Sequence, residues 1–125
     1  MPAKSKVLLI EDDTFLSGLY ATKFSMEGFE VYSATDGEAG LKLAREKMPD
    51  VIILDIILPV KDGFEVLSEL KKDSATSPIP IILLTNLSQK EDAEKGLKQG
   101  AVDYLIKAHF MPSEVVDKVK KYIKH

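Results

Sequence analysis

No string of large aliphatic residues in this chain is longer than four, and three strings reach that length: Val7-Leu8-Leu9-Ile10, Val51-Ile52-Ile53-Leu54 and Ile81-Ile82-Leu83-Leu84. A strand with one wet face alternates apolar and polar residues, whereas a strand covered on both faces carries a continuous run. These runs are therefore read as interior strands of a parallel sheet. Residues 29–33 and 101–106 supply two weaker strands. A membrane span needs about 20 apolar residues, so no run here is long enough to cross a bilayer. Met1-Pro2-Ala3-Lys4-Ser5-Lys6 leads into too few apolar residues for a signal peptide. A cytoplasmic location is the expectation.

Helical patterns fill the intervals. Phe15, Leu16, Leu19, Phe24 and Met26 follow Asp13-Thr14 and precede Gly28, which supply an N-cap and a terminator. Leu41, Ala44 and Met48 form a stripe that ends before Pro49, and Phe64, Leu67 and Leu70 form another. Residues 91–99 make a short polar helix closed by Gly100, and Val115, Val116, Val119 and Ile123 keep helical spacing in the last one. Met26, Met48 and Met111 are read as core or rim packing. The lysines at 4, 6, 118, 120, 121 and 124 are read as solvated faces. The order βαβαβαβαβα predicts an α/β domain with right-handed crossovers. With 125 residues, 45% of them apolar, the chain suffices for one buried core. No linker, repeat or second domain is visible, so residues 1–125 are expected to form one domain with no output domain.

Composition removes several chemistries. Seventeen basic against 20 acidic residues give a net charge of −3, which argues against a basic nucleic-acid grip. No direct nucleic-acid or membrane partner is expected. The absence of cysteine excludes disulfides, thiolate zinc sites, iron–sulfur clusters and thiol nucleophiles. Two histidines, His109 and His125, cannot form a three-histidine zinc site within one chain.

Ligands of open parallel sheets bind beyond the carboxyl ends of the strands. The residues that follow the runs are Glu11-Asp12-Asp13, Asp55, Thr85 and Lys107. Glu11, Asp12 and Asp55 repel one another unless a cation or proton relieves them. A hard divalent ion suits oxygen ligands, and Mg²⁺ fits best because it accepts few carboxylates and keeps waters; Mn²⁺ is the alternative. Such an ion leaves positions open for phosphate oxygens. Asp55 then becomes a candidate carboxylate nucleophile in phosphoryl transfer. Thr85 can donate to a phosphoryl oxygen and Lys107 can pair with another. Taken singly these residues are ordinary: Asp13 as an N-cap, Asp55 and Thr85 as turn residues, Lys107 as a surface lysine. Their convergence on one edge carries the reading.

The ordered set resembles the response-regulator receiver domain of two-component signalling over about residues 6–123. The matching features are the acidic pair after strand one in Leu8-Leu9-Ile10-Glu11-Asp12, Asp55 closing Val51-Ile52-Ile53-Leu54, then Pro59 and Gly63, Thr85 after strand four, and Tyr104 three residues before Lys107. The resemblance implies a three-layer (βα)5 flavodoxin-like fold with strand order 2-1-3-4-5. It implies phosphorylation of Asp55 by a histidine kinase or histidine phosphotransfer protein. It implies a metal site of Asp12, Asp55 and the Ile57 backbone carbonyl, with Glu11 acting mostly through water. It also implies a switch in which Thr85 moves toward phosphorylated Asp55 and Tyr104 follows, altering the face of helix four, strand five and helix five for a downstream protein. It admits a phosphorylation-dependent homodimer.

The sequence departs from the family in three places. Glu11 stands where Asp is commoner. Ala108 replaces a proline that usually follows the lysine, so a trans Lys107–Ala108 peptide is expected, and the stretch to Pro112 is one residue longer. Ile57 and Leu87 occupy two positions that tune dephosphorylation in the family. Neither can hydrogen-bond a hydrolytic water, which predicts a long-lived phosphoryl group. Leu87, Val102 and His109 are expected on or near the output surface, with no phosphorelay role for His109. A haloacid-dehalogenase-type phosphatase is disfavoured because Ile57 occupies the place of its second aspartate. A pure docking module does not need the polar set, and no glycine-rich phosphate loop supports a nucleotide enzyme.

Overall fold

The computed structural model describes residues 4–123; Met1, Pro2, Ala3, Lys124 and His125 lie outside the described residues. The elements run β1 (Lys6–Ile10), α1 (Thr14–Met26), β2 (Glu30–Ala34), α2 (Gly37–Lys47), β3 (Val51–Leu54), α3 (Gly63–Lys72), β4 (Ile81–Thr85), α4 (Lys90–Lys98), β5 (Asp103–Ile106), a 3₁₀ turn at Lys107–His109, and α5 (Pro112–Lys120). All strand pairs are parallel, in the order β2-β1-β3-β4-β5. This is the flavodoxin-like arrangement that the sequence predicts.

The aliphatic runs are continuous because successive residues serve opposite layers. Leu8, Ile10, Ile52, Leu54, Ile81 and Leu83 pack toward α2 and α3 with Leu41, Val66, Leu67 and Leu70. Val7, Leu9, Val51, Ile53, Ile82 and Leu84 pack toward α1 and α5 with Tyr20, Phe24, Val115, Val116 and Val119. Each fully buried aliphatic side chain contributes about 1.5–3 kcal/mol relative to leaving it in water. Three helices start on aspartate: the Asp13, Asp36 and Asp62 carboxylates accept from the amides of Leu16, Ala39 and Glu65. Such caps are worth about 1 kcal/mol each. Among the described residues no helix is long and apolar enough to cross a membrane.

Several sequence expectations shift. On α1 the buried residues are Ser17, Tyr20 and Phe24. Phe15 and Leu19 lie on the solvent side, and Met26 is 72% exposed. The 3, 4 spacing of the core face is carried by a serine, a tyrosine and a phenylalanine, so the larger aliphatics at other positions misdirect the eye. Met111 is exposed as well, and Met48 closes α2 in a left-handed conformation, on the rim. Strand β2 begins one residue later than expected because Phe29 turns inward to meet Phe24 edge to face at 5.2 Å. Strand β5 omits residues 101 and 102, which turn the chain out of α4. Two lysines of the last helix make specific contacts: Lys120 pairs with Glu27 at 2.7 Å, and Lys118 lies over the Phe110 ring.

Candidate functional site

The carboxyl ends of β1, β3, β4 and β5 bring Glu11, Asp12, Asp55, Thr85 and Lys107 to one edge of the sheet. Glu11 and Asp55 are buried, Thr85 is fully buried, and Asp12 is exposed. One carboxylate oxygen from each of Glu11, Asp12 and Asp55 falls within a 4.8 Å cluster.

Lys107 ties the cluster together. Its ammonium donates to Asp55 Oδ2 at 2.6 Å and is paired with Glu11 Oε1. The residues before Pro112 coil into the 3₁₀ turn at Lys107–His109, every peptide being trans, and the lysine side chain still reaches the end of β3. The other Asp55 oxygen, Oδ1, accepts from the Ile56 amide at 2.7 Å and the Ile57 amide at 3.4 Å. Glu11 Oε2 accepts from the Asp13 amide at 3.0 Å. Ile57 thus stands beside the site through its backbone, while its side chain is exposed.

Burial pushes the Glu11 carboxyl above the ordinary glutamate range, against the opposing hydrogen bonds from Lys107 and the Asp13 amide. Burial alone lowers the Lys107 ammonium, but hydrogen bonds to Asp55 and Glu11 outweigh it and leave it above an ordinary lysine. Three carboxylates and one ammonium sum to a charge of −2, the complement of a divalent cation held by oxygen donors.

The loop after Asp55 is held close by packing and by strain. Gly63 opens α3 directly over the Asp55 carbonyl, where any Cβ would collide with that oxygen. Val60 has φ 70, with the Lys61 amide donating back to the Pro59 carbonyl at 2.8 Å.

Thr85 and Tyr104 do not bond to each other; both engage Leu87. The Leu87 amide donates to Thr85 Oγ1 at 3.3 Å, and the Tyr104 hydroxyl donates to the Leu87 carbonyl at 2.6 Å. Burial, followed by the charges of Asp92 and Asp55, pushes the Tyr104 phenol up to about 12. Leu87 is half-buried and packs on the core, Val102 is exposed, and His109 lies in the 3₁₀ turn.

Residues 7–120 match the response regulator receiver domain family. The chain belongs to that family. It is 40% identical over 124 residues to the probable transcriptional regulator ycf27 of Guillardia theta, covering 99% of this chain and 47% of that protein. It is 39% identical over 119 residues to the DNA-binding dual master transcriptional regulator RpaA of Synechocystis sp., covering 95% and 49%. Among solved structures, the receiver domain of the sensor histidine kinase PA1611 of Pseudomonas aeruginosa superposes with a TM-score of 0.86 at 28% identity, covering 96% of this chain and 98% of that one. Its structure has a magnesium ion coordinated in the active-site cleft. The receiver is a signalling module and not a metabolic enzyme.

The relatives correct one expectation. Net charge argues for no direct nucleic-acid partner, yet RpaA is a DNA-binding regulator and ycf27 a probable transcriptional one. The receiver spans about half the length of the curated relatives it matches. The charge of one domain therefore carries no information about a DNA-binding element elsewhere in a longer protein.

Sequence reasoning brought together the five polar residues that the fold places at the edge. It missed that Tyr20 lines a small space with Glu11 and Asp55, and that the Leu87 backbone bonds to both Thr85 and Tyr104. The 17, 20, 24 spacing on α1 is the signal that finds Tyr20, whereas contacts made by a backbone have no sequence signature.

Proposed function

We propose that residues 1–125 act as one phosphoacceptor unit in which Asp55 takes a phosphoryl group from a histidine kinase or phosphotransfer protein in the cytoplasm. The observation that carries this reading is the buried Asp55 carboxylate, bridged by Lys107 and flanked by the Glu11 and Asp12 oxygens. An Asp55 oxygen attacks phosphorus as the P–N bond of a phosphohistidine, or the P–O bond of acetyl phosphate, breaks. The leaving group departs with the bonding pair. Lys107 and the Thr85 hydroxyl take the phosphoryl oxygens, with the Ile56 and Ile57 amides fixing the other carboxylate oxygen. Glu11, Asp12, Asp55 and the Ile57 carbonyl would hold Mg²⁺, or Mn²⁺ in its place. A bound ion there supplies charge neutralisation for the transferring group.

Phosphorylation then draws the Thr85 hydroxyl from Leu87 toward Asp55, and Tyr104 follows. The face of α4, β5 and α5 changes, and an output element, in the same protein or another, reads it. Catalysis is limited to the receiver's own phosphorylation and dephosphorylation.

Intact-mass spectrometry after incubation with acetyl phosphate tests the reading. One Mg²⁺-dependent phosphoryl on wild type, absent from Asp55→Asn, is the expected result. A phosphorylated Asp55→Asn protein assigns the wrong aspartate, and a folded wild type that binds Mg²⁺ without modification by any donor refutes the phosphoacceptor role.

A further inference from the structure

The proposed chemistry uses each charged group of the cluster and leaves one polar neighbour without a task. Tyr20 lies nearly two turns into α1. Helical side chains lean toward the N-terminus of their helix, so its phenol reaches back to the edge where Glu11, Asp55 and Lys107 meet. The residue is 5% exposed.

Tyr20 borders two spaces. One is a cavity of about 10 Å³ that it shares with Glu11, Asp55 and aliphatic side chains of the strands. The other is a groove of about 290 Å³ between α1 and the segment leading into α5, which it shares with Lys107 and Asn86. Burial, then the charges of Lys107, Glu11 and Asp55, act on the Tyr20 hydroxyl, and no hydrogen bond contributes. Among the described residues the hydroxyl has no hydrogen-bond partner, and it lies within electrostatic reach of the whole cluster.

An ammonium has three N–H groups, and Lys107 gives two of them to Glu11 and Asp55. Those carboxylates are also the oxygens a divalent cation would claim. A buried ammonium deprived of a partner is costly, so Lys107 needs an uncharged acceptor, and Tyr20 and Asn86 line the same groove as Lys107. Of the two, Tyr20 is buried and Asn86 is exposed.

We propose that Tyr20 is a positioning residue for Lys107. With Glu11 engaged by a divalent cation, the phenol oxygen accepts the hydrogen bond that Glu11 gives up and keeps the ammonium aimed at Asp55. The inference rests on the metal-dependent phosphoacceptor reading above.

The test is calorimetric titration of Mg²⁺ into wild type, Tyr20→Phe and Tyr20→Leu, with metal-free melts and acetyl phosphate kinetics on the same proteins. Tyr20→Phe keeps the ring and is expected to weaken Mg²⁺ binding about tenfold. Its metal-free melt should match wild type, because the hydroxyl has no partner among the described residues in that state. At saturating Mg²⁺ its maximal phosphorylation rate should fall while the KM for acetyl phosphate holds. Tyr20→Leu should lose at least as much Mg²⁺ affinity. Wild-type affinity in Tyr20→Phe overturns the proposal, whether or not that variant melts earlier. So does a loss confined to Tyr20→Leu, which assigns the effect to the ring. A wild type that binds no Mg²⁺ overturns the metal reading itself.

Discussion

Replacing Lys107 with methionine isolates the electrostatics of the cluster. Methionine keeps an apolar stem of similar length and removes the charge. The two carboxylates that the lysine serves have side chains only 7% and 8% exposed. Their oxygens, with that of Asp12, lie within 4.8 Å of one another. At that spacing two unit charges repel by about 3.5 kcal/mol for an effective dielectric constant of about 20. Breaking a buried ion pair from one side costs about 3–5 kcal/mol, in the same range. The metal-free variant should therefore lose about 3–4 kcal/mol near neutral pH and melt on the order of 10 °C lower. The Glu11 carboxyl, already raised by burial, should rise further without its partner. A carboxyl raised in the fold binds its proton more tightly than in the unfolded chain. The variant should thus gain stability relative to wild type as pH falls from that raised value toward the unfolded value of about 4.3. Mg²⁺ should also rescue the variant more than it stabilises wild type, since no ammonium competes for the oxygens. Circular dichroism melts in EDTA and in Mg²⁺, between about pH 5 and 8, measure all three effects. A variant within about 1 kcal/mol of wild type in EDTA near pH 8, gaining no more than wild type from Mg²⁺, refutes the assignment of Lys107 as the cluster's internal counter-ion.

Three further outcomes follow from the same geometry. Ile57→Asn replaces an exposed apolar side chain beside Asp55 with one that can orient water, and should shorten the phosphoryl lifetime about tenfold; a lifetime unchanged by mass spectrometry removes Ile57 from the account. Val60→Asn should raise stability by about 1 kcal/mol, because a β-branched residue at φ 70 that is 79% exposed carries strain without compensating burial; a urea midpoint at or below wild type contradicts this. Tyr104, held to about 12 by burial, should appear in ultraviolet titration as a late-ionising phenol that Tyr104→Phe removes. Its contribution to stability is complete below about pH 10 and lost as pH rises toward the folded value, so the alkaline melt of Tyr104→Phe should fall less steeply than that of wild type.

The fold was legible where burial dictates composition. Continuous runs such as Ile81-Ile82-Leu83-Leu84 announce strands that feed two layers, and both hydrophobic clusters draw alternately on them. The edge residues were legible for a related reason, since a polar side chain at the end of an apolar run has nowhere else to go. Helix α1 was the failure. Its sheet-facing positions are Ser17, Tyr20 and Phe24, and a serine and a tyrosine at buried positions defeat a search for large aliphatics. Strand ends were uncertain because they depend on local turns: Phe29 leaves β2 to pack on Phe24, and Thr85 stays in β4 although it is polar. The mutual pairing of Glu11, Lys107 and Asp55 was beyond sequence reading, which supplies the charges but not their distances.

In the proposed switch, the Leu87 backbone would link the Thr85 hydroxyl to the Tyr104 hydroxyl. Its amide is tied to the Thr85 hydroxyl and its carbonyl to the Tyr104 hydroxyl, so the peptides flanking one residue carry both contacts. Each is a hydrogen bond between neutral groups, worth about 1 kcal/mol net. A hydrogen bond from Thr85 to a phosphoryl oxygen is charge-assisted and about twice as strong. In that proposal, turning the Thr85 hydroxyl toward Asp55 would release the Leu87 amide and free the carbonyl that holds Tyr104 to move. The exchange nearly balances until a phosphoryl group, with its added negative charge, stands on Asp55. Moving a two-state equilibrium from about 1:99 to 99:1 takes about 5.5 kcal/mol of differential interaction, more than the Thr85 bond alone supplies. In the proposed mechanism the remainder would come from Lys107, whose bond to Asp55 becomes a bond to the phosphoryl group. Lys107, in the turn that follows β5, and Thr85, at the end of β4, would then act on the phosphoryl group together, and the proposed switch needs both.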